Sequence, residues 1–165
     1  MHENEKYEIY DNFLPADYFK QIQDVILGKE IPWTFVTQIN NEHVSLDNEC
    51  YFEHVVYFHE PKSHVYSLLQ PLYDFLDIKS LMRIKLNCYP SKQNLVIHPP
   101  HVDAEYDHKG ALIYCNTCDG FTKLHNGDEI NSVSNRLLKF NPGIMHSSTN
   151  CTNAKARFTI NINYF

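Results

Sequence analysis

Several features are missing from this sequence of 165 residues, and each absence removes a class of function. The opening MHENEKYEIYDNFLP has no apolar run between a basic start and a cleavage site, so it does not read as a secretion signal. No stretch approaches the length of apolar chain needed to span a bilayer. A surplus of positive charge is also lacking: 20 Asp and Glu stand against 14 Lys and Arg, a net charge of -6. That argues against nucleic acid as a partner, because phosphate-backbone binding requires a basic face. No internal repeat, low-complexity tract or linker interrupts the chain, whose length is about that of one domain. A soluble protein in the cytoplasm, or in a host's cytoplasm if phage-encoded, is expected, with no membrane partner.

The five cysteines (Cys50, Cys88, Cys115, Cys118, Cys151) are an odd number without an export signal, so free thiols are expected. Cys115 and Cys118 have zinc-like spacing, but the rest are too scattered to complete a four-ligand site, and packing is the expected role. Pro15 to Leu27 places Phe19, Ile22, Val25 and Ile26 at helical spacing, with Gly28 just beyond the end. Lys62 to Phe75 repeats the pattern through Val65, Leu68, Leu69, Leu72 and Phe75, with Pro71 placed to kink or split the helix. Trp33 to Ile39 and Cys50 to His59 read as extended.

After residue 80 the chain reads as short strands: Leu81 to Tyr89, Leu95 to Asp103, Ala111 to Asn116, Phe121 to His125, Glu129 to Ser132, Arg136 to Phe140, His146 to Ser148 and Arg157 to Tyr164. Asn126-Gly127 and Asn141-Pro142-Gly143 mark turns. Two strands alternate cleanly. Arg83, Lys85, Asn87 and Tyr89 lie opposite Ile84, Leu86 and Cys88, and Arg157, Thr159, Asn161 and Asn163 lie opposite Phe158, Ile160, Ile162 and Tyr164. The expected fold is mainly β: a jelly roll, or double-stranded β-helix of cupin-like type, with N-terminal helices packed outside it. The expected organisation is one domain over 1–165, with 1–80 as helical support and 81–165 as the β core carrying the site.

His101 and Asp103 are two apart, so on extended backbone both side chains face one side. A second histidine would complete the two-His, one-carboxylate set that holds non-haem Fe(II) and leaves coordination positions open. His146 is that candidate. His98, His125, His43, His54, His59, His64 and His108 lack ligand-like spacing to an acid and take edge, structural or solvent roles.

Asn87-Cys88-Tyr89-Pro90, His101-x-Asp103, Leu112 to Asn116, Asp119-Gly120-Phe121-Thr122, Leu137 to Phe140, His146 and Arg157-Phe158-Thr159, taken in order, resemble the 2-oxoglutarate and Fe(II)-dependent dioxygenases. Within them the chain is similar to the prolyl-hydroxylase-like branch, including small phage or marine-microbial forms. The motifs cover about residues 80 to 165, with a weaker likeness at Tyr10 to Pro15. Relatives often carry two glycines where this chain has Asp119-Gly120.

The resemblance implies an Fe(II)-dependent hydroxylase with His101, Asp103 and His146 as metal ligands and catalytic centre. It also implies 2-oxoglutarate as cosubstrate, O₂ as oxidant and ascorbate as an accessory reductant. Arg157 would anchor the distal carboxylate of 2-oxoglutarate, with Tyr89 and Thr159 beside it and Lys155 as the rival anchor. Tyr114 or Ile113 faces the pocket. The substrate would be a peptide, protein or small molecule, peptidyl-proline or another amino-acid side chain first, with Tyr51, His54, Tyr57 and Tyr106 as candidate entrance residues. Two alternatives stand beside this: a cupin-like metal enzyme that does not use 2-oxoglutarate, and a non-catalytic jelly-roll binding module.

Overall fold

The computed structural model describes residues 7–37 and 49–165. The end of the expected Trp33 to Ile39 strand and His43 therefore lie outside the described residues. In chain order the elements are β1 (Glu8–Tyr10), α1 (Ala16–Ile26), β2 (Thr34–Val36), β3 (Tyr51–Phe58), β4 (Glu60–Pro61), α2 (Tyr66–Leu69) and α3 (Leu72–Leu76). There follow β5 (Leu81–Pro90), β6 (Lys109–Tyr114), β7 (Phe121–Leu124), β8 (Glu129–Asn131), β9 (Arg136–Phe140), β10 (His146–Ser147) and β11 (Ala156–Tyr164). Two antiparallel sheets form a jelly roll. The larger runs β1-β9-β6-β11-β5-β3-β2 with β4 beside β3, and the smaller runs β10-β7-β8. The first eighty residues thus supply four strands of the large sheet as well as the helices.

The second expected helix is two. Pro71 has no N–H for the Ser67 carbonyl one turn back, so α2 stops and α3 restarts with Pro71 at its N-cap. Asp77 ends α3 in the left-handed conformation (φ 52°).

The alternation on β5 and β11 has its physical explanation here. Ile84, Leu86, Ile160 and Ile162, with Ala111 and Ile113 of β6, form the outer face of the large sheet and are covered by Leu14, Ile22 and Ile26 from the α1 region and by Leu69 and Leu72. The opposite face looks into the roll, so it is not wet: Asn87, Arg157, Thr159 and Asn163 are all buried. Inside the roll, Leu112, Tyr114 and Leu138 pack on Leu124 and Ile130 of the small sheet. One end of the interior is therefore apolar, and the end between β5 and β11 is polar.

The thiols separate. Cys115 is fully buried in the helix-covered core, where burial pushes its pKa up, and Cys118 is buried beside Cys151. All five cysteines are free.

The N-terminal segment is fastened to the roll by Asn135, which takes a left-handed φ of 61° between β8 and β9. Its side-chain amide donates to the Leu14 carbonyl (2.8 Å), and its amide oxygen accepts from the Leu14 N–H (3.0 Å). Beside it, Arg136 grips Asp11 with two bonds of 2.6 and 2.9 Å. Asn135→Ala leaves two buried backbone groups unpaired and is expected to lower unfolding free energy by about 1–3 kcal/mol. Lys20→Ala, which removes an exposed ion pair with Asp24, should cost less than about 1 kcal/mol. Urea unfolding of the two variants checks the ranking, and equal losses would contradict it.

Candidate metal centre and adjoining cavity

The expected strand from Leu95 to Asp103 does not form. Pro99 and Pro100 carry no N–H for a ladder, so only isolated bridges remain, Ile97 opposite Thr149 and His101 opposite His146. The second bridge builds the site. His101 and His146 exchange both backbone N–H···O bonds, each 2.9 Å, the arrangement that sets two residues directly opposite with side chains on one face. Their rings lie 4.4 Å apart. Asp103 is brought round by its N–H bond to the Pro142 carbonyl (2.9 Å).

His101, Asp103 and His146 thus offer one ligand atom each, all within 4.8 Å of one another. Asp103 Oδ1 is 3.7 Å from His101 Nε2 and 4.0 Å from His146 Nε2. His146 Nδ1 lies 2.9 Å from the Ile144 carbonyl, so it carries the proton and leaves Nε2 its lone pair. Burial, then the neighbouring imidazole of His146, push the His101 pKa down to about 4, which leaves it neutral at ordinary pH. Burial by itself would raise Asp103; Arg83, His146 and Asn163 outweigh it and hold the carboxyl well below its usual range. Two imidazoles and one carboxylate are a donor set suited to a divalent transition metal.

Arg157 is 1% exposed, and its guanidinium lies between the rings of Tyr89 and Tyr114, 5.4 Å from each centroid. It donates to the Thr149 carbonyl (3.2 Å) and to Thr122 Oγ1 (3.0 Å). No carboxylate pairs with it among the described residues, and its Nε has no partner. Arg157 and Asn161 are four residues apart on one strand face, roughly 13 Å of extended chain. Between them a narrow cavity of about 30 Å³ is lined by Asn87, Thr159, His101, His146 and Arg157. Through Asn87, Tyr89, His101, Ser148 and Asn161 it joins a cleft of about 620 Å³ that also holds Arg83, Lys85, Glu53 and Tyr51.

The other expected residues distribute unevenly. Thr159 is buried, accepts from Asn87 Nδ2 (3.3 Å) and lines the inner cavity. Tyr89 stacks on Tyr51, and its pKa is raised by burial. Tyr114 shares the face of Arg157, whereas Ile113 belongs to the helix-covered core. Lys155 lies outside β11 and is exposed. Of the entrance candidates, Tyr51 lines the cleft. His54 does not: it is buried on the far side against the Pro32 carbonyl and Ser63 Oγ. Tyr57 stacks on Tyr66 beneath the helices, and Tyr106 lines a separate cavity behind Asp103. His54 is three residues from Tyr51 and so faces the other way, and Tyr57 follows it there because the β3–β5 register shifts between Val55 and Tyr57.

His98 packs against residues of the cavity wall. It is 2% exposed, bonded to Ser148 Oγ (2.8 Å) and packed on Tyr89, and burial, then the Arg157 charge, lower its pKa to about 3. Gly120 has a steric reason to remain glycine, since a Cβ there would sit 2.4 Å from the Asn150 carbonyl and 2.7 Å from Arg157 Cδ. Sequence reasoning missed the partners of Asp103, namely Arg83, Asn161, Asn163 and, through Asn163, His108. Their only signal was the polar alternation of β5 and β11.

No protein-family model matches the chain, and no curated protein matches it. Solved structures do. A prolyl hydroxylase from Trichoplax adhaerens, in complex with a hypoxia inducible factor oxygen degradation domain peptide, superposes with a TM-score of 0.72 at 17% identity, over 98% of this chain and 84% of that one. A 2OG-Fe(II) oxygenase family oxidoreductase from Burkholderia pseudomallei gives 0.71 at 12% identity, over 96% and 84%. The non-heme alpha ketoglutarate dependent epimerase SnoN from nogalamycin biosynthesis gives 0.69 at 9% identity, over 98% and 78%. The chain therefore has the double-stranded β-helix fold of the 2-oxoglutarate and Fe(II) oxygenases, in which prolyl hydroxylases are among its structural neighbours.

Proposed function

We propose that this protein is an Fe(II)- and 2-oxoglutarate-dependent dioxygenase that hydroxylates a C–H bond. The observation carrying this reading is Arg157: a buried guanidinium without a carboxylate partner among the described residues, at the inner end of a cavity that leads to three convergent metal-ligating side chains. A buried charge of this kind is costly unless a counter-charge arrives. A dicarboxylate held at the metal end supplies one. A cupin-like metal enzyme without this cosubstrate would leave that charge unexplained.

His101, Asp103 and His146 would hold Fe(II), which when bound supplies the chemistry that couples decarboxylation of 2-oxoglutarate with O₂ to C–H hydroxylation. The protein's own part is placement. His101, kept neutral by burial, and His146, whose Nδ1 is turned to the Ile144 carbonyl, present Nε2 beside an ionised Asp103. Arg157 offers the far carboxylate a planar pair of donors, and Thr159 adds a hydroxyl beside it. Tyr89 is kept protonated by burial and is a neutral donor on the same wall. The narrow inner cavity would take one end of the dicarboxylate, with Leu112 and Phe140 as its apolar wall.

For the substrate we propose a neutral side chain, peptidyl-proline or that of another amino acid. The cations in the cleft are already matched: Lys85 Nζ sits 3.2 Å from Glu53, and Arg83 sits 3.3 Å from Asp103. The remaining charge on its lining is the exposed carboxylate of Glu105. The peptide held by the Trichoplax neighbour adds an analogy for a peptidyl substrate.

Succinate formation from 2-oxoglutarate in the presence of Fe(II) tests the reading directly, and its absence would overturn it. Asp103→Ala should abolish high-affinity Fe(II) binding, because the one anionic ligand is gone. Arg157→Ala should raise the apparent 2-oxoglutarate constant by roughly two to three orders of magnitude, equivalent to about 3–4 kcal/mol, with iron binding nearly unchanged. Lys155→Ala should do little, as expected of an exposed charge. A reversed order would move the anchor to Lys155.

A pH dependence follows from His98 and His101, whose folded pKa values of about 3 and about 4 lie below the unfolded value of about 6.5. The unfolded chain then binds more protons between those values, so stability of the metal-free protein is full above about pH 6.5 and falls as pH drops toward 4. Urea midpoints at pH 7.5 and pH 5 measure this; a midpoint that does not fall at pH 5 would contradict it.

A further inference from the structure

We infer that Arg83, Asn161 and Asn163 form a clamp that restricts Asp103 to offering a metal one oxygen, Oδ1. This rests on the metal-centre reading above and adds to it a role for three residues outside the ligand set. The carboxylate is divided in use. Oδ1 faces His101 and His146, whereas Oδ2 receives Asn163 Nδ2 at 2.9 Å and Asn161 Nδ2 at 3.2 Å, with Arg83 Nη2 at 3.3 Å.

The clamp has its own support. Arg83 and Asn163 are direct cross-strand partners of β5 and β11, and Arg83 Nη2 donates to Asn163 Oδ1 at 3.0 Å. That bond fixes which way the Asn163 amide points. Its Nδ2 also lies 2.9 Å from His108 Nε2, and His108 Nδ1 lies 2.8 Å from the Tyr106 carbonyl. His108 therefore donates from Nδ1 and turns Nε2 to the Asn163 amide. Turning the Asn163 amide over would set its one oxygen against both the Asp103 carboxylate and His108 Nε2, and its NH2 against the guanidinium, so the network has one satisfied arrangement.

The consequence is geometric. A carboxylate that ligates through both oxygens takes an extra coordination position, and these three donors hold the second oxygen back. The residues act through Asp103 and are positioning residues; partners of this kind typically tune metal affinity by one to two orders of magnitude.

Co(II) binding to the full chain, followed by its visible ligand-field absorption, tests the clamp without turnover. Arg83 lines two open cavities, so Arg83→Gln leaves space that water fills and is expected to fold, with the melting temperature of the metal-free protein lowered because the buried Asp103 carboxylate loses its cationic partner. It should weaken Co(II) binding by about 10- to 100-fold and alter the absorption bands as the freed oxygen enters the coordination sphere. Arg83→Lys, which keeps the charge without the planar fork, should restore affinity in part. Should Arg83→Gln fail to fold, Asn163→Ser is measured in the same way. Wild-type affinity and bands in the variant would overturn the clamp while leaving the metal centre intact. Weaker binding with unchanged bands would assign Arg83 to charge balance alone and also overturn it. Failure of the wild-type protein to bind one Co(II) would remove the metal centre and the clamp together.

Discussion

The central strands of the large sheet are buried on both faces, and the rest of the structure answers to that constraint. Helices cover the outer, apolar face; the inner face of β5 and β11 carries Arg83, Lys85, Asn87, Arg157, Thr159, Asn161 and Asn163 where a core would ordinarily be apolar. Polar groups removed from water are tolerated only when hydrogen-bonded or paired. Most of these are satisfied within the roll: Asn163 by three partners, Lys85 by Glu53, and Thr159 by Asn87. Those left incomplete are the informative ones. Arg157 Nε, Asn87 Oδ1 and Arg83 Nε have no partner; Arg157 and Asn87 line the inner cavity, and Arg83 lines the cleft outside it.

The two buried arginine environments show how placement separates two roles for one residue type. Arg83 sits against a carboxylate of this chain, and the two charges cancel where they stand. Arg157 sits between two aromatic rings, with a hydroxyl and a carbonyl as partners. The quadrupoles of Tyr89 and Tyr114 ease its desolvation but bring no negative charge. An anion is thus more welcome at Arg157 than anywhere else on that strand face. This distinction supports the cosubstrate reading independently of the family likeness, and the likeness by itself leaves the reaction open, since the same fold serves an epimerase as well as hydroxylases.

Much of this was legible in the chain. Helix α1, the strands after residue 80 and the polar and apolar faces of β5 and β11 follow from periodicity, because these segments are long enough for one face to show a pattern. Leu95 to Asp103 was not legible as it is. Its composition suits a strand, but two prolines deny it a ladder, and only two isolated bridges tie it to the chain near β10. Tyr57 was misplaced because a one-residue register shift in β3 exchanges the faces beyond Val55, whereas His54, three residues from Tyr51, takes the opposite face by plain alternation.

What the sequence by itself determined is the inventory and its faces: a His-x-Asp pair, a later His, and an Arg on the polar side of the last strand. Those are local properties, set by a two-residue repeat along extended chain. Only the tertiary structure decided that the polar side is an interior, that His101 and His146 stand opposite each other, and that Asp103 Oδ2 is taken by residues from β5 and β11. These depend on strand order and register between segments up to 80 residues apart, as for Arg83 and Asn163. Such pairing is chosen by the burial of the whole sheet, and no short stretch of sequence encodes it.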